Sequence, residues 1–320
     1  MNYLNRLILL ICFTAINAQA ALHPVNKWKE YELKYNVTIP KPEIAFQDFQ
    51  VWIPVPQNTE EQKLVSQEIT GANFSINEGI RYGNKMAYFD LSKQSKFPIK
   101  LKATWKVKRR ATGSIRLSES ELLKFNNPKN FLGISKKVPI NGVIPELAMK
   151  ATNKSDSKWT KIEKMYDHVV AKMSYDKSGK GWGQGDAIWA CDAKRGNCTD
   201  FHSLLVGMAR SQGIPAQFQI GLPTPPSGNG KIPGYHCWAR VFDQEKGWFP
   251  VDASESKKAK SPRKYFGSLP ANRIHFTTGR DLVLSPKQNG EALNYFIYPY
   301  LELDGKKYQK YEKAFSVKTL

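Results

Sequence analysis

Three residues have the types and order for acyl chemistry: Cys198, His236 and Asp252, 38 and then 16 positions apart. A thiol that opens a helix is stabilised as thiolate by the unpaired N–H groups and the macrodipole. An imidazole facing it can act as base or complete an ion pair. A carboxylate beside the imidazole fixes its tautomer and supports its charged form. Amides at the helix start can then hold an oxyanion. A lone cysteine is usually buried or disulfide-bonded and a lone strand histidine is usually structural, so the order alone is weak. The elements around these residues must decide.

Residues 198–212 read as a helix whose buried face is Leu204, Leu205, Met208 and Ala209, with Gly213 past its end and Pro215 as a stop. An earlier helix repeats Trp159, Ile162, Met165, Tyr166, Val169, Val170 and Met173, with an N-cap within residues 155–157. His168 lies off that stripe and reads as a surface residue. The Gly-rich stretch 179–185 lacks the Gly-Lys-Ser/Thr ending of a phosphate loop and reads as turns. Residues 216–221 read as a strand, and 235–242 with 248–253 as an antiparallel pair, in which facing residues lie about 5 Å apart and a His236–Asp252 contact is natural. Further strands are expected at 274–278, 282–285 and 294–303. The polar loop 223–234 stands where it could gate a cleft.

Ahead of these elements, residues 28–110 alternate with period two, as in Tyr31, Leu33, Tyr35, Val37 and Ile39, or Ile99, Leu101, Ala103, Trp105 and Val107. One apolar face implies sandwich-like sheets with a wet side. Lys100, Lys102, Lys106 and Lys108 read as a solvated face or as protection of an edge strand. The expected organisation is a signal peptide at 1–20, a β-sandwich-like domain at 21–112, a connector at 113–150, and an α+β core with C-terminal strands at 151–320. The signal reading rests on Arg6, the apolar run 7–15 and Ala18-Gln19-Ala20. It predicts an exported, periplasmic or extracellular chain with no later membrane span.

The formal charge is +20, and +19 once Arg6 leaves with the signal. Such a chain is drawn to anionic cell-envelope polymers, at the lysine face and at residues 255–264; nucleic acid is not an expected partner of an exported chain without a binding module. Cys12 also leaves, so Cys191, Cys198 and Cys237 remain. An odd number in an oxidising compartment implies one disulfide plus a free thiol, or three buried thiols.

Four stretches carry a resemblance: residues 196–205 (GNCTDFHSLL), 209–216 (ARSQGIPA), 234–239 (GYHCWA) and 247–254 (GWFPVDAS). In order they resemble the G-x-C, G-I-P-A, H-x-W and G-W-x-x-V-D boxes of bacterial transglutaminase-like, papain-like proteins, over about residues 155–300. The stretches YNVTIP and VWIPVP resemble the β domain that often precedes that core. The resemblance implies a papain-like α+β core, a nucleophile helix packed on an antiparallel sheet. It also implies Cys198 as nucleophile, His236 as base, Asp252 as orienting carboxylate, and a thioester from a peptide or protein amide. Water or an amine could resolve the thioester, with the amidase or peptidase outcome slightly favoured over cross-linking. A silent binding module is the reading from another class.

No cofactor and no metal are expected. No loop here resembles a calcium site, and adjacent His236 and Cys237 are awkward ligands for one tetrahedral ion. For the oxyanion partner the candidates are Gln184, Trp182 and Trp189, with Trp238 walling the cleft. His202, one turn after Cys198, reads first as a polar fastening of the helix. Cys237 should point away from His236. Cys191 lies just before the Cys198 loop, and a Cys191–Cys237 disulfide stapling that loop to the histidine strand is expected.

Overall fold

The computed structural model describes residues 27–114 and 126–320; the signal read at 1–20 lies outside them. The first part supplies β1 (Lys29–Ile39), β2 (Phe49–Pro54), β3 (Gln62–Thr70), β4 (Ser75–Glu78), β5 (Lys85–Asp90) and β6 (Ile99–Arg109). Then come α1 (Val143–Ala151), α2 (Lys158–Lys172), β7 (Ser174–Tyr175), α3 (Ala187–Ala193), β8 (Arg195–Gly196) and α4 (Cys198–Ser211). The remainder holds β9 (Ala216–Pro223), β10 (Gly230–Ile232), β11 (His236–Asp243), β12 (Gly247–Val251), α5 (Ala253–Lys258), β13 (Arg273–Thr278), β14 (Tyr300–Leu303), β15 (Lys306–Tyr308) and β16 (Glu312–Thr319). Among the described residues no helix is long and apolar enough to cross a membrane.

The apolar alternation does what period two requires. Tyr31, Leu33, Tyr35, Val37 and Ile39 are buried from β1, and Leu33 faces Trp105 in the β1–β6 register. This sheet has the order β10-β16-β1-β6-β3, and a second runs β15-β14-β2-β5-β4. Their inner residues, Trp105, Phe49, Val51 and Phe89 among them, share one core. Lys100, Lys102, Lys106 and Lys108 lie on the solvated face of β6. However, β6 sits between β1 and β3, so these lysines protect no edge.

The C-terminal strands do not join the sheet that carries His236, as the sequence suggested. β14 pairs with β2, Leu301 opposite Val51, and β16 pairs with β1, Phe315 opposite Tyr35. The end of the chain thus completes both N-terminal sheets. Residues 282–285 and 294–299 form no strand. There the Gln288 side chain accepts from Leu284 N–H at 2.9 Å and donates to the Leu282 carbonyl at 3.3 Å, replacing a partner strand. The loop at 223–234 is partly tied down, because β10 pairs with β16.

The third sheet, β12-β11-β9-β13, carries α4 on one face. α1, read from sequence as connector, belongs to this helical layer: Ile144 and Ala148 are fully buried. A Cβ on Gly207 of α4 would stand 3.3 Å from both Ile144 and Val138, so the glycine lets the helices approach without those side chains having to yield. The other face of the sheet is polar yet buried against the N-terminal strands. Gln62 donates to the His275 carbonyl at 2.8 Å and accepts from its N–H at 2.7 Å. Glu61 pairs with Arg240 and with Arg109. Burial opposes ionisation of Glu61, but the two guanidiniums outweigh it and hold its carboxyl below the ordinary value.

Phe315 packs on Tyr35 at 4.5 Å and Tyr298 at 5.9 Å between ring centroids. Its replacement by alanine should cost roughly 3 kcal/mol in urea unfolding. A loss near zero would mean that β16 is not an integral strand.

Candidate active site

Cys198 opens α4, and the residues around it explain why a helix starts there. The Asn197 side chain accepts from Thr199 N–H at 2.8 Å, and Asp200 Oδ2 accepts from Asn197 N–H at 2.9 Å, a reciprocal capping box. Asp200 also accepts from Gly183 N–H at 2.7 Å and Gly185 N–H at 2.9 Å. One carboxylate thus ties the Gly-rich loop to the helix start. Gly196 has φ 144°, and a Cβ there would lie 2.3 Å from Asp200 Oδ2. The G-x-C spacing is therefore a steric requirement of this corner.

His236 begins β11 and Asp252 follows β12 directly, so the β11–β12 pairing brings them together. His236 Nε2 stands 2.6 Å from Asp252 Oδ2, and Cys198 lies near enough to the ring to affect its charge. Asp252 is fully buried and fully occupied. Its Oδ1 accepts from Ser254 Oγ and from Glu255 N–H, both at 2.9 Å, and its Oδ2 also accepts from Arg273 Nη1 at 2.8 Å. Burial alone would raise this carboxyl, but His236 and Arg273 hold it well below the carboxylate range. Burial lowers His236, yet the charge and hydrogen bond of Asp252, aided by Cys198, carry it up to about 9. Burial raises Cys198, but the neighbouring Cys237 and His236 side chains and the His236 charge bring it well below the ordinary thiol value. The arrangement favours a thiolate–imidazolium pair.

His202 fastens two helix starts. Its Nδ1–H donates to the Cys198 carbonyl at 2.7 Å, and its Nε2 accepts from Ala253 N–H at 3.2 Å. Those contacts define a neutral ring, and burial pushes its pKa down. Trp238 lies fully buried beneath His236, ring centroids 6.3 Å apart, and its N–H is spent on Gln219 Oε1 at 2.7 Å. It supports the histidine from below and does not wall a cleft. Trp189 packs against Gly181 on α3, and Trp182 is half-buried with Lys177 Nζ 5.8 Å from its ring. Gln184 is exposed and accepts from Lys137 Nζ at 3.3 Å.

The Cys191–Cys237 disulfide expected from sequence is not formed; Cys191, Cys198 and Cys237 are free thiols. Cys237 is buried under α4, 3.7 Å from Thr199 Oγ1, in the core shared with the N-terminal sheets. Cys191, on α3, packs on a different core, with Trp189 and Trp159. The face of Cys237 was right, but the partner on that face is α4.

Sequence reading missed Arg273, Tyr235, Tyr175 and Glu255. Arg273 starts β13, 21 residues beyond Asp252, and no local pattern marks it. Tyr235 accepts from Asn197 Nδ2 at 3.2 Å and shares a hydrogen bond with Thr199 Oγ1 at 3.0 Å. Its place directly before His236 was the available signal.

These values set a pH window. His236, raised to about 9, is charged below that pH, and Cys198, depressed, is a thiolate above its own lowered value. Alkylation of Cys198 by iodoacetamide should be nearly flat from pH 6 to 9, whereas an ordinary thiol accelerates about tenfold per unit below its pKa. His236→Ala should restore the ordinary slope; a steep profile in the unaltered protein would contradict the ion pair. Arg273→Met, measured by urea unfolding, should cost about 3 kcal/mol by leaving a buried carboxylate short of a partner. A cost within error of zero would show that Arg273 is not needed to compensate it.

Residues 145–253 match the model of the transglutaminase-like superfamily. An uncharacterized protein of Haemophilus influenzae is 26% identical over 322 residues, covering 86% of each chain. The crystal structure of a candidate cysteine protease from Cytophaga hutchinsonii superposes with a TM-score of 0.61 at 14% identity, covering 92% of this chain and 91% of that one. The fold described above is therefore a transglutaminase-like α+β fold.

Proposed function

For a transglutaminase-like superfamily protein with its core at residues 145–253, we propose an exported thiol amidase or peptidase that acts on peptide or protein amides through Cys198, His236 and Asp252. The 2.6 Å contact of His236 with Asp252, beside Cys198, with the thiol pushed down and the imidazole pushed up, carries this reading. The Cys198 thiolate attacks the amide carbonyl carbon, and amides at the start of α4 receive the developing oxyanion. His236 gives its proton to the departing amine as the C–N bond breaks, leaving a thioester. Neutral His236 then takes a proton from water, whose oxygen attacks the thioester. Collapse expels the thiolate and returns the charged pair. Asp252 stays ionised throughout and keeps Nε2 of His236 engaged, so the other ring nitrogen serves the thiol.

Export rests on the leader pattern of residues 1–20. Amine resolution of the same thioester, giving a transglutaminase, is the second reading; nothing in the chemistry of the first half separates the two.

The test incubates the mature protein with casein and a fluorescent primary amine. It scores both new amino termini and amine incorporation. New termini without incorporation are expected, and His236→Ala should lower their rate by about 10²–10⁴-fold. Incorporation in place of new termini would overturn hydrolysis in favour of cross-linking. Neither product, together with an unreactive Cys198, would favour a silent module.

A further inference from the structure

Lys258, at the end of α5, places its ammonium on Glu255, one helical turn back. The same ammonium stands 4.8 Å from the ring centroid of Tyr175 in β7, so a carboxylate and an aromatic face hold one cation between them. This cation lies beside the reacting groups. Glu255 Oε1 is 3.8 Å from His236 Nε2, and Tyr175 is the strand partner of Gly196, which opens the Cys198 corner. Lys177 Nζ faces the same ring at 5.8 Å. The Glu255 and Lys258 side chains retain 24% and 38% of their exposure, so water reaches the pair and screens it. Such an exposed pair is worth little by itself, and another ammonium can displace Lys258 with no change in net charge.

We propose that Tyr175 and Glu255 form a subsite for an ammonium group on the amine half of the substrate, with Lys258 occupying it in the absence of that substrate. The proposal rests on the acyl-transfer reading and names a substrate class within it. By microscopic reversibility the amine that leaves the first tetrahedral intermediate and an amine that attacks the thioester use the same position. A subsite beside His236 therefore reads the amine half whether it departs or arrives. It selects amides whose amine half carries a second, free ammonium, as in a diamine or a basic amino acid. The reacting nitrogen is held at His236, and the second nitrogen replaces Lys258 against Glu255 and Tyr175.

The test uses p-nitrophenyl acetate to acylate Cys198 and lets cadaverine or pentylamine compete with water for the acyl-enzyme. Amide products are measured by mass spectrometry. The two amines share a chain length and differ in the second charge. The ratio of their yields is taken within each variant, so overall activity and folding cancel. Beyond the statistical advantage of its second amine, cadaverine should be preferred by about tenfold, the scale of one charge-assisted contact. Glu255→Gln should bring the ratio near unity, and Lys258→Met should raise it by removing the competitor. A ratio near unity in the unaltered protein, or one that Glu255→Gln does not move, would overturn the subsite while leaving the thioester mechanism standing. Failure to acylate Cys198 at all would overturn both.

Discussion

The buried carboxylate of Asp252 is the constraint on which the rest of the site depends. An ionised carboxylate without water is costly unless every lone pair is met. Here the partners come from three directions: His236 from β11, Arg273 from β13, and Ser254 with the Glu255 amide from α5. Meeting that requirement fixes the histidine ring, the entry of β13 into the sheet and the start of α5 in one step. His202 then links the same corner to α4, so the thiol and the carboxylate are held by one buried polar network.

That network has a back wall. The polar face of the histidine sheet would be expensive to bury alone, and the N-terminal strands supply its complement: Glu61 for Arg240, and Gln62 for the backbone of His275. The guanidiniums of Arg109 and Arg273 stand 5.9 Å and 5.4 Å from the ring of Trp238, on which His236 stacks. The N-terminal strands are thus part of the support of the histidine. Because β14 and β16 complete its two sheets, the end of the chain contributes as well.

Part of this was legible along the chain. The period-two apolar alternation of β1 and β6 marks two-faced strands, and the 3.6-residue stripe of α2 marks a helix with one buried side, because these patterns are local consequences of backbone geometry. Cys198, His236 and Asp252 were legible for a related reason: a thiol at a helix start and two residues at the adjoining ends of a strand pair are short-range requirements. Gly196 was legible only through the resemblance that its G-x-C box carries.

What remained hidden depends on contacts between distant segments. Arg273 has no signature near Asp252, since its role is to neutralise a charge brought to it by another strand. The partner of Cys237 was misread because strand alternation gives the face of a side chain but not which element covers it. The placement of the strand expected at 294–303 with the 151–320 core failed for the same reason: a strand's own residues specify its pleat, while its neighbour is chosen by which unpaired edge the folded chain presents. Sequence alone marked most of the elements and the order of Cys198, His236 and Asp252. Only the tertiary structure decided their partners, because burial, charge compensation and edge pairing are properties of surfaces that exist only once the chain has closed on itself.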